Sequence, residues 1–442
     1  MDRLAEKFVR YSERMEQLSA IRVDGRVSQI AGIVIEATAK TGTIGDVCEI
    51  QIPDRKTIRA EIVGFKENKI LLMPLGETVG VSPGSRVIRN TQPLSVPVGS
   101  QLLGRVIDGL GNPIDGKGPI HTKQFRKVYN MPPDPLKRQR ISKPLTTGIR
   151  AIDGLVTLGK GQRVGIFAGS GVGKSVLMGM ISRFTDAEVN VIALIGERGR
   201  EVREFIERDL GEDGLKHSVV VVATSDQAAT VRIKGALLAT TLAEYFRDQG
   251  KDVLLLMDSL TRVAMAQREI GLAIGEPPTT KGYTPSVFAL MPRLLERAGN
   301  GERGSITGLY TVLVEGDDLD EPISDTARSI LDGHIVLSRD LATLGHYPAI
   351  DVLGSVSRVK TEVIDKEQQQ FAQKVLSHLA VYRENEDLIN IGAYSAGSNP
   401  RLDEALKKID RINLFLRQDV NERSDFVSTR SRLRELIAED SD

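Results

Sequence analysis

With 59 Lys+Arg against 59 Asp+Glu in 442 residues, the chain has no formal net charge, so as a whole it attracts neither nucleic acid nor anionic lipid, although a local patch remains open. Its length exceeds one compact core and implies two or three domains; 40% hydrophobic and 27% charged residues is the balance of a soluble globular protein. The lone cysteine, Cys48, excludes an internal disulfide and a cysteine-based metal cluster, and the absence of a signal-like start or a membrane-length apolar run makes a cytoplasmic location the expectation.

Residues 1–20 predict a helix with Leu4, Phe8, Tyr11, Met15 and Leu18 on one narrow apolar stripe. It reads either as a helix packed on its own domain or as a docking helix for a partner. Residues 21–92 change to short strands broken by Gly and Pro, among them 26–35, 47–52, 57–65 and 69–73, which predicts a small closed β-barrel. Phe65 is the one aromatic in that stretch, too few for base stacking, so nucleic-acid binding is not expected there. Cys48 falls on a strand and reads as a buried small hydrophobe.

Residues 93–360 are expected to form a linker and then an α/β domain. The linker is turn-rich around Asp108-Gly109-Leu110-Gly111-Asn112-Pro113 and carries the basic run Lys137-Arg138-Gln139-Arg140. That run is open to two readings: a nucleic-acid patch or, better favoured, a proline-stiffened linker contacting another subunit. Beyond residue 150, apolar β-branched runs at 163–167, 189–195, 218–223, 253–257, 306–314 and 334–337 alternate with helical segments, which predicts a parallel sheet covered on both faces. Residues 361–442 predict a helical domain. Phe371, Val375, Leu379 and Tyr382 form one stripe and Leu406, Ile409, Ile412 and Leu416 another, separated by the turn-rich stretch 392–400.

The chemistry starts at Ala168-Gly169-Ser170-Gly171-Val172-Gly173-Lys174-Ser175-Val176, a glycine-rich turn between an apolar strand and a helix. Glycines let the backbone turn tightly and aim N–H groups at an anion; Lys174 adds a cation for the β- and γ-phosphates, and Ser175 a hydroxyl for Mg²⁺. This pattern predicts a nucleoside-triphosphate site, with Ala168 replacing the usual first glycine provided its backbone angles are ordinary. The run Val253-Leu254-Leu255-Leu256-Met257 ends in Asp258, a carboxylate at a strand's C-terminal edge, suited to hold Mg²⁺ directly or through water. Glu197 follows another strand and Gly196; we expect it to polarise the attacking water, while Arg203 and Glu204 read as a solvated helix start.

These motifs and their order resemble the rotary and export ATPase family, which includes the β subunit of F-type ATP synthase and the type III export ATPases of flagella and injectisomes. Asp258-Ser259-Leu260-Thr261-Arg262, Ala266-Gln267-Arg268-Glu269, Gly275-Glu276-Pro277-Pro278 and Leu294-Leu295-Glu296-Arg297-Ala298-Gly299-Asn300-Gly301 tilt the likeness toward the flagellar export branch, with injectisome ATPases very similar. The resemblance implies a RecA-like, P-loop ATPase domain between barrel and helices. It implies ATP and Mg²⁺ at Lys174 and Ser175, Glu197 as catalytic carboxylate and Asp258 as Walker B acid. Glu201 and Arg198 match residues supporting the metal shell and γ-phosphate, Arg262 an active-site arginine, Tyr347 the aromatic against adenine, and Arg358 an arginine finger given to a neighbour.

The family further implies a homohexamer, a coiled-coil stalk in its pore, a stator-like regulator on the N-terminal helix, chaperone–cargo complexes, and membrane proteins of the export gate at the inner membrane, with no nucleic acid. Two alternatives of other kinds stand beside it. A Rho-like hexameric translocase shares the phosphate loop but needs a basic, aromatic barrel; a non-catalytic ring subunit would not need Glu197. The C-terminal part departs from ATP synthase β in lacking its acidic Asp-Glu-Leu-Ser-Glu-Glu-Asp lever.

Overall fold

The structure is a computed structural model describing residues 24–39, 42–52, 57–314, 318 and 320–437. The helix expected over residues 1–20 lies outside the described residues. The chain divides into two compact units; one runs through Ser95 and includes Leu272–Glu276, and the other is the rest of the described chain.

In the first unit, β1 (Asp24–Ala31), β2 (Val34–Thr38), β3 (Asp46–Gln51), β4 (Thr57–Lys66), β5 (Lys69–Pro74) and β6 (Arg86–Pro93) close into a barrel of order β1-β2-β5-β4-β3-β6, with β6 returning to β1. Alternation explains it: Ile35 and Ala37, Cys48 and Ile50, Ala60 and Ile62, Ile70 and Leu72 all point inward at a spacing of two. The run 26–35 is a hairpin rather than one strand, because Gly32 turns the chain at φ 60°. Cys48 sits in this core and packs as a hydrophobe, and burial pushes its thiol up to about 11.

The second unit is built on a sheet of order β14-β13-β8-β12-β11-β9-β10-β7. Its strands are β7 (Arg105–Asp108), β8 (Arg163–Ala168), β9 (Val189–Ile195), β10 (Ser218–Ala223), β11 (Asp252–Asp258), β12 (Ser305–Leu313), β13 (Gly333–Leu337) and β14 (Ile350–Ser357). Every residue of β9 and β10 is buried, as strands covered on both faces require. The sheet is parallel from β7 to β13, but β14 runs antiparallel to β13 and the short pair Gly299–Asn300 runs antiparallel to β12. Neither β7 nor β14 stands out in the sequence, because each is short or interrupted by polar residues and takes its place by pairing with a buried neighbour. Helix α1 (Lys174–Phe184) follows β8, α2 (Ala229–Asp248) packs on β9, β10 and β11, and α3 (Leu260–Ala273) follows β11. At Gly235 a side chain would press within 2.9 Å of Ile195, so α2 approaches the sheet where it has no side chain.

Three C-terminal helices, α4 (Lys366–Asn390), α5 (Pro400–Leu416) and α6 (Phe426–Ile437), share the core of this unit. Ala372, Val375, Ile412, Phe415, Leu416 and Leu433 are buried in one apolar cluster with residues of α1 and β8.

Part of the basic run 137–140 bonds within its own chain, while the side chains of Lys137 and Arg140 stay exposed. The guanidinium of Arg138 donates to the Ala298 carbonyl (2.7 Å), the Gln139 side chain to the Glu302 carbonyl (2.7 Å), and Asn300 Nδ2 returns bonds to the carbonyls of Gln139 and Arg140. Beside it Arg297, 2% exposed, makes a two-pronged pair with Glu244, 1% exposed, at 2.8 Å on each prong, and donates to the Val128 carbonyl and Thr241. Removing one partner of such a pair strands a buried charge. Arg297→Leu should therefore cost roughly 3–5 kcal/mol in denaturant unfolding, with part recovered when Glu244→Leu is added; a single variant as stable as the parent would show that the pair contributes nothing.

Candidate active site

The loop between β8 and α1 turns because Gly171 and Gly173 take φ 79° and 87°, left-handed values that a side chain resists. Nothing crowds the Cβ position of Gly171, so backbone angle alone selects glycine there. Ala168 is the last residue of β8 with ordinary strand angles, which is why alanine serves at the first position of the motif. Helix α1 begins at Lys174, so the loop's N–H groups and the helix N-terminus face the same side, the arrangement that binds phosphate.

A cleft of about 610 Å³ opens at this point, lined by the loop from Gly169 to Gly171, by Gly173, Lys174, Ser175 and Val176, and by Glu197, Arg198, Glu201, Arg262 and Arg339. Val172 is buried beneath the loop. Strand order gathers these groups: β8 carries the phosphate loop, β12 lies next to it, then β11 ending in Asp258, then β9 leading through Gly196 to Glu197. Lys174 Nζ donates to Asp258 Oδ1 at 2.5 Å and lies 3.8 Å from Glu197 Oε1. Gly196 has φ 74°, and a side chain there would meet Arg262 at 2.8 Å, so glycine lets Arg262 pass into the cleft. The buried Nε of Arg262 has no hydrogen-bond partner among the described residues.

Burial, followed by the negative charge of Asp258, pushes Glu197 up to about 7; Lys174 opposes the shift. Glu197 shares a hydrogen bond with Glu201, whose carboxyl is held below its usual range chiefly by that bond, so the proton of the pair resides on Glu197. Arg198 points outward and pairs with Glu201 at 2.7 Å. Tyr347, 45% exposed, presents its ring edge 3.4 Å from the Cβ position of Gly173, and its carbonyl accepts from the Gln418 backbone N–H at 2.9 Å.

Arg358 is the expected site residue that the cleft does not gather. Its N–H bonds the Asp332 carbonyl, and Asp332 N–H bonds the carbonyl of Arg163, the first residue of β8, while the phosphate loop leaves the other end of that strand. Five strand steps put about 17 Å between them, longer than an arginine side chain. Its guanidinium is exposed and rests on the Arg328 carbonyl at 3.3 Å.

Sequence reasoning missed Thr311, whose hydroxyl donates to Asp258 Oδ1 at 2.6 Å, and Gln418, which holds Tyr347 from a distant part of the chain. Residue type alone marked neither. Strand register reveals the first and tertiary packing the second.

Residues 148–357 match the model of the ATP synthase alpha/beta family, nucleotide-binding domain, and residues 27–90 that family's beta-barrel domain. The chain belongs to the ATP synthase alpha/beta family. Residues 364–435 match the T3SS EscN ATPase C-terminal domain, which accounts for the missing acidic lever and places the chain in the type III export branch of that family. A flagellum-specific ATP synthase of Bacillus subtilis is 54% identical over 416 residues, 92% of this chain and 94% of the relative. A type 3 secretion system ATPase of Xanthomonas euvesicatoria is 53% identical over 406 residues, 92% of each. The assembled ATPase EscN of the enteropathogenic E. coli type III secretion system superposes with a TM-score of 0.89 at 46% identity, covering 94% of this chain and all of that one. Like these relatives of the alpha/beta family, the chain is an ATPase, and a nucleotide is its substrate.

As the base expected from the sequence, Glu197 with its raised carboxyl should set a pH dependence. A base must be ionised to take a proton, and a group titrating near 7 loses that form as pH falls. Accordingly kcat/KM for ATP should drop toward tenfold per pH unit below about 7 and level off above it. A flat profile between about pH 6 and 8 would show that Glu197 is not the titrating base.

Proposed function

We propose that the chain hydrolyses Mg-ATP at the interfaces of a homohexamer and thereby energises export, unfolding and chaperone release of flagellar proteins. The observation that carries the interface is Arg358, an exposed cation at the end of the sheet opposite its own phosphate loop. A ring of identical copies provides a second chain whose cleft such a residue can complete.

The loop N–H groups and Lys174 hold the β- and γ-phosphates, and Tyr347 stacks on adenine. The donors near the loop are hard oxygens, the Ser175 hydroxyl and the Asp258 carboxylate, with Glu201 close enough to act through water; that set fits Mg²⁺, which takes few protein ligands when phosphates supply the rest. Bound there, Mg²⁺ would neutralise charge developing on the phosphate oxygens. Glu197 orients a water in line with the γ-phosphorus and takes its proton as the new P–O bond forms and the bond to the ADP oxygen breaks. Arg262 flanks the γ-phosphate, Arg198 supports the site through its pair with Glu201, and Arg358 of a neighbouring copy stabilises the transition-state charge, an effect on the order of 10³–10⁵ in other phosphate-transfer enzymes.

Relatives named flagellum-specific ATP synthase reach 54% identity and extend over as much as 98% of the chain, which supports the flagellar reading over the injectisome one. Restoration of motility in a strain lacking its flagellar export ATPase tests it. A central stalk follows from the solved complex of EscN with its stalk EscO. The regulator, export-gate and chaperone–cargo partners rest on the family resemblance alone. No described helix is long and apolar enough to cross a membrane; we place the ring in the cytoplasm against the export apparatus.

Mixed rings test the shared site. Glu197→Gln should keep nucleotide binding and lose about 10²–10⁴ in turnover, and Arg358→Ala should be inactive for want of the finger. Mixed in equal amounts, they should regain activity at roughly a quarter of the sites, those pairing an intact Glu197 with an intact Arg358. No recovery in rings shown to be mixed would mean that Arg358 does not act across the interface.

A further inference from the structure

Asp258 is buried at the end of β11, and its Oδ1 accepts two hydrogen bonds, from Lys174 Nζ at 2.5 Å and from Thr311 Oγ1 at 2.6 Å. Both bonds fall on the same carboxylate oxygen. The two donors differ in how they are held. Lys174 stands at the start of α1, within 3.8 Å of a second carboxylate, and its charge is the one that phosphates attract. Thr311 is fully buried in β12, the strand lying between the phosphate-loop strand and β11, and register sets it beside Asp258 because Tyr310 pairs with Met257. Two residues on, Leu313 N–H donates to Thr261 Oγ1 at 2.9 Å, so β12 grips the chain on both sides of the turn after Asp258.

We propose that Thr311 is a positioning residue for Asp258: when Lys174 turns to the phosphates, the Thr311 hydroxyl keeps Oδ1 bonded and the carboxylate plane fixed, leaving Oδ2 for the cation or its water. This rests on the reading that Asp258 serves the nucleotide's divalent cation. A carboxylate held by one neutral, buried, strand-borne hydroxyl keeps its orientation through the exchange of cations, and outer-shell partners of this kind govern metal affinity. Without the hydroxyl, Asp258 would have to be reoriented each time Mg²⁺ arrives.

The test is the affinity of a fluorescent ATP analogue, measured with Mg²⁺ and again with EDTA, for the parent, Thr311→Val, Thr311→Ala, Thr311→Ser and Asp258→Asn. Thr311→Val removes the hydroxyl at nearly constant volume, and Thr311→Ala does so without a branched side chain should valine not fold. Both should lose about 10- to 100-fold of the tightening that Mg²⁺ confers, while binding in EDTA stays at the parent value and Thr311→Ser restores the difference. If the variants retain full Mg²⁺-dependent tightening while Asp258→Asn loses it, Thr311 has no positioning role and the assignment of Asp258 survives. Should Asp258→Asn also retain it, Asp258 is not the cation's carboxylate and the reading beneath falls too. Equal weakening with and without Mg²⁺ would reduce Thr311 to a packing residue and overturn the inference.

Discussion

One ammonium group between two carboxylates is the constraint on which the site depends. Asp258 and Glu197 stand at the ends of neighbouring strands, and burial followed by the charge of Asp258 makes Glu197 costly to ionise. Lys174 satisfies Asp258 directly and Glu197 only at longer range, so the residual strain is relieved by a proton that Glu197 shares with Glu201. The site without nucleotide is therefore balanced by a lysine that belongs to the phosphate loop.

That balance requires the strand ends to stand side by side, and the sheet order achieves it with residues far apart in sequence. Between the loop strand and Asp258 lies β12, contributed from 305–313, which is why a threonine there reaches the carboxylate. The same sheet carries Arg358 to its other edge, beyond the reach of its own cleft. One fold thus gathers Lys174, Glu197, Asp258 and Arg262 at one end of the strands and leaves Arg358 exposed at the other.

The C-terminal helices are fastened to the nucleotide side of this sheet by a buried polar clasp. Gln418 donates through its amide to the Gly148 carbonyl at 2.7 Å and accepts from Arg150 N–H at 2.9 Å, while its own N–H holds the Tyr347 carbonyl. Arg150, 3% exposed, bonds the Phe415 carbonyl at 2.8 Å and pairs with Glu422. The Gln418 amide and the Arg150 guanidinium are both bonded here, which ties the Tyr347 backbone to the chain just beyond α5.

The amino-acid sequence by itself determined the barrel's alternation, the buried parallel strands, the phosphate loop and the two acidic strand ends, because each is written in neighbouring residues whose spacing matches a backbone period. Only the tertiary structure decided how Lys174 divides itself between two carboxylates, that Thr311 bonds Asp258 and Gln418 the Tyr347 carbonyl, that β7 and β14 complete the sheet, and that Arg138 and Gln139 bond the chain around residues 296–302. These depend on which strands lie side by side and on contacts between residues as many as 272 positions apart. Local periodicity carries no record of such pairings; they exist only once hydrophobic burial has brought the strands into one sheet.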